Sequence, residues 1–288
     1  MQTTIFVVGL NEKNSPEPEC MIMTPKAITS ILKFIPIFST LFLLFSLQIK
    51  AGYPPKKPVT RNIVIVHGAF VDGSGWQNAY QLLTEKGYKV SVTQHKLRDF
   101  NEDVAEVNRI IDQQDGPCIL VGHSYGGVVI TKAGNNPKVA GLVYIAAHAP
   151  DDGESRADLV KQFPSAYKSL IKGSDGQDYI DPEKFPADFA ADVPKAEAKF
   201  MADAQVPTAD AVFQAIVHDP AWKTKPSWYM VAKADRIINP DLERFYAKRA
   251  KSKVVEIDGA SHSVFITQAK QVAELIIAAT KGVGKINR

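Results

Sequence analysis

Cysteine is almost missing from this chain: its 288 residues hold two, Cys20 and Cys118. If the first fifty residues are removed, Cys118 stands alone, so no intramolecular disulfide forms and the fold rests on core packing. Charge of one sign is missing too. Lys and Arg number 34 against 31 Asp and Glu, a net +3, and the basic residues are scattered instead of forming a stripe, which argues against a nucleic-acid partner. No repeat emerges. The stretch Gly73-Ser74-Gly75-Trp76 lacks the lysine and spacing of a Walker loop and reads as a turn opening a helix. Apolar residues are plentiful, at 45%, in a chain long enough for one large domain with a substantial core. Cys118, just before a glycine-rich turn, reads as a small buried apolar residue with no thiol chemistry.

One apolar run stands apart from the rest. Phe34 to Leu47 follows Lys26 and Lys33 and closes before Ala51, the pattern of a basic segment, an apolar segment and a small residue at a cleavage site. The run is short for a membrane-spanning helix and contains Pro36. The expectation is an export segment over 1–51, cleaved near Ala51, with a periplasmic or secreted mature protein; an uncleaved 34–49 would anchor it to a membrane instead. Met21 and Met23 are alternative starts.

Beyond the Pro-rich stretch Tyr53 to Pro58, short apolar runs alternate with helix-compatible ones. Strands are predicted at Asn62 to Val66, Lys89 to Thr93, Cys118 to Val121, Val139 to Ala146, Ser227 to Ala232 and Lys253 to Ile257. Most are continuously apolar, as in a parallel sheet covered on both faces. Helices are predicted at Trp76 to Lys86, Asp103 to Gln113, Tyr125 to Asn135, Asp241 to Ala250 and Gln268 to Thr280. This alternation predicts a doubly wound, mostly parallel α/β domain over 52–288. From about 148 to 225 no strand stands out and several helix-like pieces occur, predicting a helical lid inserted between two core strands. Its Phe163, Tyr167, Phe200, Phe213 and Trp222 either line a substrate tunnel or pack the lid onto the core.

The chemistry centres on Gly122-His123-Ser124-Tyr125-Gly126-Gly127, a Gly-x-Ser-x-Gly turn between a strand and a helix. In a nucleophile elbow of this kind the serine sits on a strained turn with its hydroxyl exposed, and Gly122 and Gly126 permit the close backbone approaches. The alternative is a loop in which Ser124 only caps a helix. A serine hydroxyl needs a base, and the base an orienting acid. His262, on the loop after the last strand, is the candidate base, with His148 the nearest competitor among the other histidines. Asp235, after the penultimate strand, is the candidate acid; it could instead cap a turn or pair with Arg236. Asp258, Asp151 and Asp152 are rivals. Backbone N–H groups of Ala69 and Tyr125 are the candidate oxyanion donors. Phe70 and His123 are the candidate substrate-binding residues, His123 being either a pocket wall or a packing residue.

With these residues in hand, the mature region resembles the α/β-hydrolase superfamily over nearly its whole length. The segments from His67 to Trp76, from Gly116 to Gly127 and from Ala149 to Ser155 look like a bacterial esterase-like branch related to plant methylesterases and hydroxynitrile lyases. The resemblance implies a catalytic serine, acid and histidine in that chain order. Haloalkane dehalogenases and epoxide hydrolases of this fold carry aspartate at the elbow, where Ser124 stands. Plant hydroxynitrile lyases have a lysine after the catalytic histidine, where Ser263 stands. The expectation is therefore a serine hydrolase of small to medium carboxylic esters, with lactones and thioesters as neighbours and no metal or organic cofactor. The competing readings are a lyase of the same fold and a ligand-binding module with a vestigial triad.

Overall fold

The computed structural model describes residues 60–283. The expected export segment, its cleavage near Ala51 and Cys20 lie outside the described residues. Among the described residues no helix is long and apolar enough to cross a membrane.

Six strands form the central sheet: β1 (Asn62–Val66), β2 (Lys89–Val92), β3 (Cys118–Ser124), β4 (Val139–Ala147), β5 (Ser227–Ala232) and β6 (Lys253–Ile257). They lie in the order β6-β5-β4-β3-β1-β2, and every pairing is parallel. Successive side chains of a strand point to opposite faces, and the apolar runs accordingly feed two cores. Val64, Val66, Leu120, Tyr144, Tyr229 and Val231 face one layer. Ile63, Ile65, Ile119, Val121, Val143 and Met230 face the other. The first layer is covered by α2 (Phe100–Asp112), α3 (Tyr125–Ala133) and α4 (Pro240–Arg249), through residues such as Val107, Ile111, Val129, Leu242 and Tyr246. The second is covered by α1 (Gln77–Glu85) and α5 (Ala269–Gly282), through Leu83, Val272, Leu275 and Ile276. Full burial of one such aliphatic side chain contributes roughly 1.5–3 kcal/mol.

The predicted core elements match the observed ones closely, and the largest discrepancy has a local cause. α2 begins at Phe100, not Asp103, because Asp99 caps it, accepting the N–H groups of Asn101 and Glu102 at 2.8 and 3.0 Å. This leaves Asp103 inside the helix and turned inward.

The segment between β4 and β5 departs from its expectation of being helical. It contains helices at Arg156–Gln162, Phe185–Asp188, Lys195–Asp203 and Asp210–Gln214. It also holds a three-stranded antiparallel sheet of Leu170–Lys172, Gln177–Ile180 and Thr208–Ala209, and a strand pair of Glu154–Ser155 with Ile216–Val217. Each strand is two to four residues long. Runs so short carry no readable period-two pattern.

Because β1 lies between β3 and β2, the chain leaves β1 in one direction and resumes on its other side. This reversal opens a crevice at the carboxyl ends of β1 and β3, where open α/β sheets bind ligands. The turn at Ser124 sits there.

Candidate active site

β3 ends on Ser124 and α3 begins at Tyr125, so strand and helix meet without an intervening loop. The junction forces Ser124 to φ 52°, ψ −121°, a backbone conformation that a side-chain-bearing residue rarely adopts. Such strain costs about 1–3 kcal/mol and persists only where the surroundings impose it. Here they do: a Cβ on Gly126 would lie 2.4 Å from the carbonyl oxygen of Val66 and 2.6 Å from that of His67. Gly126→Ala is therefore expected to destabilise the fold by about 1–3 kcal/mol by pushing the elbow from β1. Thermal unfolding of the purified variant checks this, and an unchanged melting temperature would contradict the close approach.

Ser124 is 6% exposed, and its hydroxyl makes no hydrogen bond to another described residue. A Cβ at Gly68 would lie 2.8 Å from that of Ser124, so the turn after β1 passes directly over the elbow. In that turn the N–H of Phe70 is occupied, donating to Thr208 Oγ1 at 3.1 Å. The N–H groups of Ala69 and of Tyr125, first residue of α3, meet no acceptor among the described residues. Two free backbone donors thus flank Ser124.

Asp235 and His262 come together at the same end of the sheet. His262 Nδ1 lies 2.5 Å from Asp235 Oδ2, with both side chains fully buried. The other carboxylate oxygen, Oδ1, accepts the N–H groups of Ile237 and Ile238 at 2.7 and 2.9 Å. The His262 ring is held by the edge-on ring of Phe189 at 4.7 Å and by the ring of His123 at 4.6 Å. Its Nε2 is buried with no hydrogen-bond partner among the described residues.

The rival residues are engaged elsewhere. The Asp258 side chain is 87% exposed and pairs with Lys233. Asp151 pairs with Lys223 at 2.5 Å, and Asp152 accepts the N–H of Asp219 and faces His218. Asp235 does not pair with Arg236, whose guanidinium binds Asp188 at 2.9 Å. His148 meets the Tyr246 hydroxyl and the Arg156 guanidinium, both at 3.3 Å, and burial holds its imidazole well below the usual pKa. His123 is fully buried, and its Nε2–H donates to the carbonyl of His262 at 3.0 Å. It props the His262 loop from behind, the packing role of the two expected for this residue, and lines none of the described cavities. Burial, with the neighbouring His262, lowers its pKa strongly and keeps it neutral.

Phe70 lines a cavity of about 420 Å³ together with Val71, Phe200, Met201 and Phe265. Neither this cavity nor a larger hollow of about 680 Å³ between α1 and α5 is lined by Ser124, Asp235 or His262; Phe70, next to Ala69 in the turn over the elbow, is what brings the smaller one near the candidate site. Of the aromatic residues in the insertion, Phe213 approaches the site, 5.8 Å from Phe70 and 6.3 Å from Tyr125, and Phe200, 70% exposed, stands at the cavity rim. Phe163 packs on Phe245, and Trp222 Nε1 donates to Pro150 O, so these two belong to the packing of the insertion.

Several supporting residues escaped sequence reasoning. Phe189, in the insertion, packs on the His262 ring, and its carbonyl accepts from Ser263 N, Ser263 Oγ and Ser261 Oγ. Asp103 accepts from the Tyr125 hydroxyl at 3.0 Å and from two backbone N–H groups, and burial pushes its carboxyl up to about 6. Only the i, i+4 spacing of Phe185 and Phe189 hinted at a packed face; an acid in a first helical turn ordinarily reads as solvent-exposed.

A six-stranded parallel sheet with this strained serine turn at its carboxyl edge defines an α/β hydrolase. The chain belongs to the alpha/beta hydrolase family, whose sequence profile matches residues 63–275. It is 33% identical over 127 residues to the carbendazim hydrolyzing esterase of Nocardioides sp., covering 39% of this chain and 52% of that protein. The chain spans about half the length of the curated relatives it matches. Among solved structures, the pyrethroid hydrolase from Sphingobium faniae JZ-2 superposes with TM-score 0.65 at 22% identity, covering 77% of this chain and 98% of that one. A methylesterase from Arabidopsis gives TM-score 0.65 at 19% identity, covering 77% and 99%.

Proposed function

We propose that the chain is a serine hydrolase of carboxylic esters acting through an acyl-enzyme. The observation that carries this reading is the buried Asp235–His262 pair whose outer nitrogen, His262 Nε2, is left unpartnered at the sheet edge that carries Ser124. Ser124 Oγ attacks the ester carbonyl and passes its proton to His262 Nε2, while Asp235 fixes the Nδ1–H tautomer and stabilises the imidazolium. The Ala69 and Tyr125 N–H groups hold the oxyanion. Collapse of the adduct expels the alcohol, which takes the proton from His262. Water then attacks the acyl-Ser124 ester by the same route, returning the acid and the free serine. Relatives named for esterase activity support the ester as substrate.

The cavity lined by Phe70 and Met201, with Phe213 behind Phe70, is the expected acyl site, so the insertion acts as a lid that sets substrate choice. A panel of p-nitrophenyl esters of increasing acyl length, with a lactone, a thioester and a cyanohydrin alongside, tests the reading. Hydrolysis of short to medium esters in preference to cyanohydrin cleavage is expected, and Phe213→Ala should shift the preference toward longer acyl groups. Folded protein that cleaves no ester, or that cleaves only the cyanohydrin, would overturn it.

A further inference from the structure

Directly behind Asp235 lies a second acid that the mechanism does not use. Glu243, in the first turn of α4, is 0% exposed. Its Oε2 accepts the N–H of Ala232 at 3.1 Å, and Ala232 is joined to Asp235 by the turn in which Asp235 N–H donates to Ala232 O. Its Oε1 is buried with no donor among the described residues. Among the described residues no lysine or arginine is placed to neutralise the two carboxyls. Arg244 turns outward to Glu256 and Asp241, Lys233 pairs with Asp258, and Arg236 pairs with Asp188. The other groups around Glu243 are committed as well: Tyr229 donates to Ala147 O, and Tyr246 meets His148.

Two carboxyls buried side by side without a cation do not both ionise. Asp235 is supplied with three donors, from Ile237, Ile238 and His262, and Glu243 with one. The proton therefore belongs on Glu243. We propose that Glu243 is a positioning residue, a permanently neutral carboxylic acid whose Oε1–H donates to the Asp235 carboxylate and extends the array to Glu243–Asp235–His262. Burial first, then the charge of Asp235 and a hydrogen bond to it, push the Glu243 carboxyl well above the ordinary glutamate range. The donated bond fixes the Asp235 carboxylate and disperses part of its charge.

This inference rests on the proposed ester hydrolysis for its kinetic readout, and a spectroscopic one stands apart from it. In Glu243→Gln the amide donates where the acid did, so kcat/KM should stay within about threefold of wild type and the acid limb of its pH profile should not move. In Glu243→Leu the volume is kept and the donor lost. Here kcat should fall about tenfold or more at nearly constant KM, and the acid limb should move to higher pH as Asp235 becomes a stronger partner for His262. An ionised Glu243 gives the opposite sign: both variants would remove a negative charge and move the limb to lower pH. A merely structural Glu243 would leave the limb unmoved in both. Independently of activity, infrared difference spectra of wild type against Glu243→Gln at neutral pH should show a protonated-carboxyl C=O band in wild type alone. Absence of that band overturns the proposal, whereas its presence with no esterase activity would count against the hydrolase reading only.

Discussion

Ser124→Ala is expected to lower ester turnover by about 10⁴-fold or more while leaving the protein folded. The two halves of that expectation rest on different features. The hydroxyl makes no hydrogen bond to a described residue, so its removal breaks no native contact, and alanine at the same strained φ leaves the strand-to-helix junction as it is. What disappears is the only serine at the elbow, with the free N–H groups of Ala69 and Tyr125 on either side. Steady-state kinetics on the best ester, beside circular dichroism and a melting curve, separate the two halves. Substantial residual activity in the folded variant would remove Ser124 from the reaction.

Asp235→Asn is expected to cost up to about 10⁴-fold in turnover, because asparagine can present its amide N–H to His262 Nδ1 and so favour the tautomer that cannot accept the serine proton. Asp258→Asn should change turnover little, since its side chain is exposed and its partner is Lys233. Asp151→Asn and Asp152→Asn should likewise leave turnover close to wild type, their carboxylates being paired with Lys223 and with Asp219 and His218. Comparing kcat for the four variants checks the assignment. Collapse confined to one of the other three would move the acid there.

The legible and illegible parts of this protein divide along physical lines. β1 and β5 were readable to the residue because strands of a parallel sheet covered on both faces are continuous apolar runs, β6 was readable to the residue although it is an exposed edge strand, and the intervening helices keep one apolar stripe. The Gly-x-Ser-x-Gly turn marked Ser124, and chain order then brought Asp235 and His262 to consideration, since loops after successive parallel strands gather at one edge. The strands of the insertion were not readable: at two to four residues they are too short for periodicity, and they are held by contacts distant in sequence, such as Phe70 N–H to Thr208 Oγ1. The same is true of Glu243. On an amphipathic helix a glutamate normally faces water, and only the tertiary packing of α4 on β5 turns this one inward.

The insertion also holds residues of the candidate site. Thr208 takes the Phe70 N–H, Phe189 packs on the His262 ring, and Asp192 accepts from the hydroxyls of Ser261 and Thr267. Phe189 and Thr208 therefore support the candidate site itself, unlike Phe200, which is exposed.

The most direct test of the central claim is to locate the nucleophile covalently. Protein incubated with a fluorophosphonate probe, digested and mapped by mass spectrometry should carry one adduct, on Ser124 of the peptide spanning β3 and α3, and Ser124→Ala should carry none. An adduct on another serine, or a folded protein that resists labelling altogether, would contradict the account.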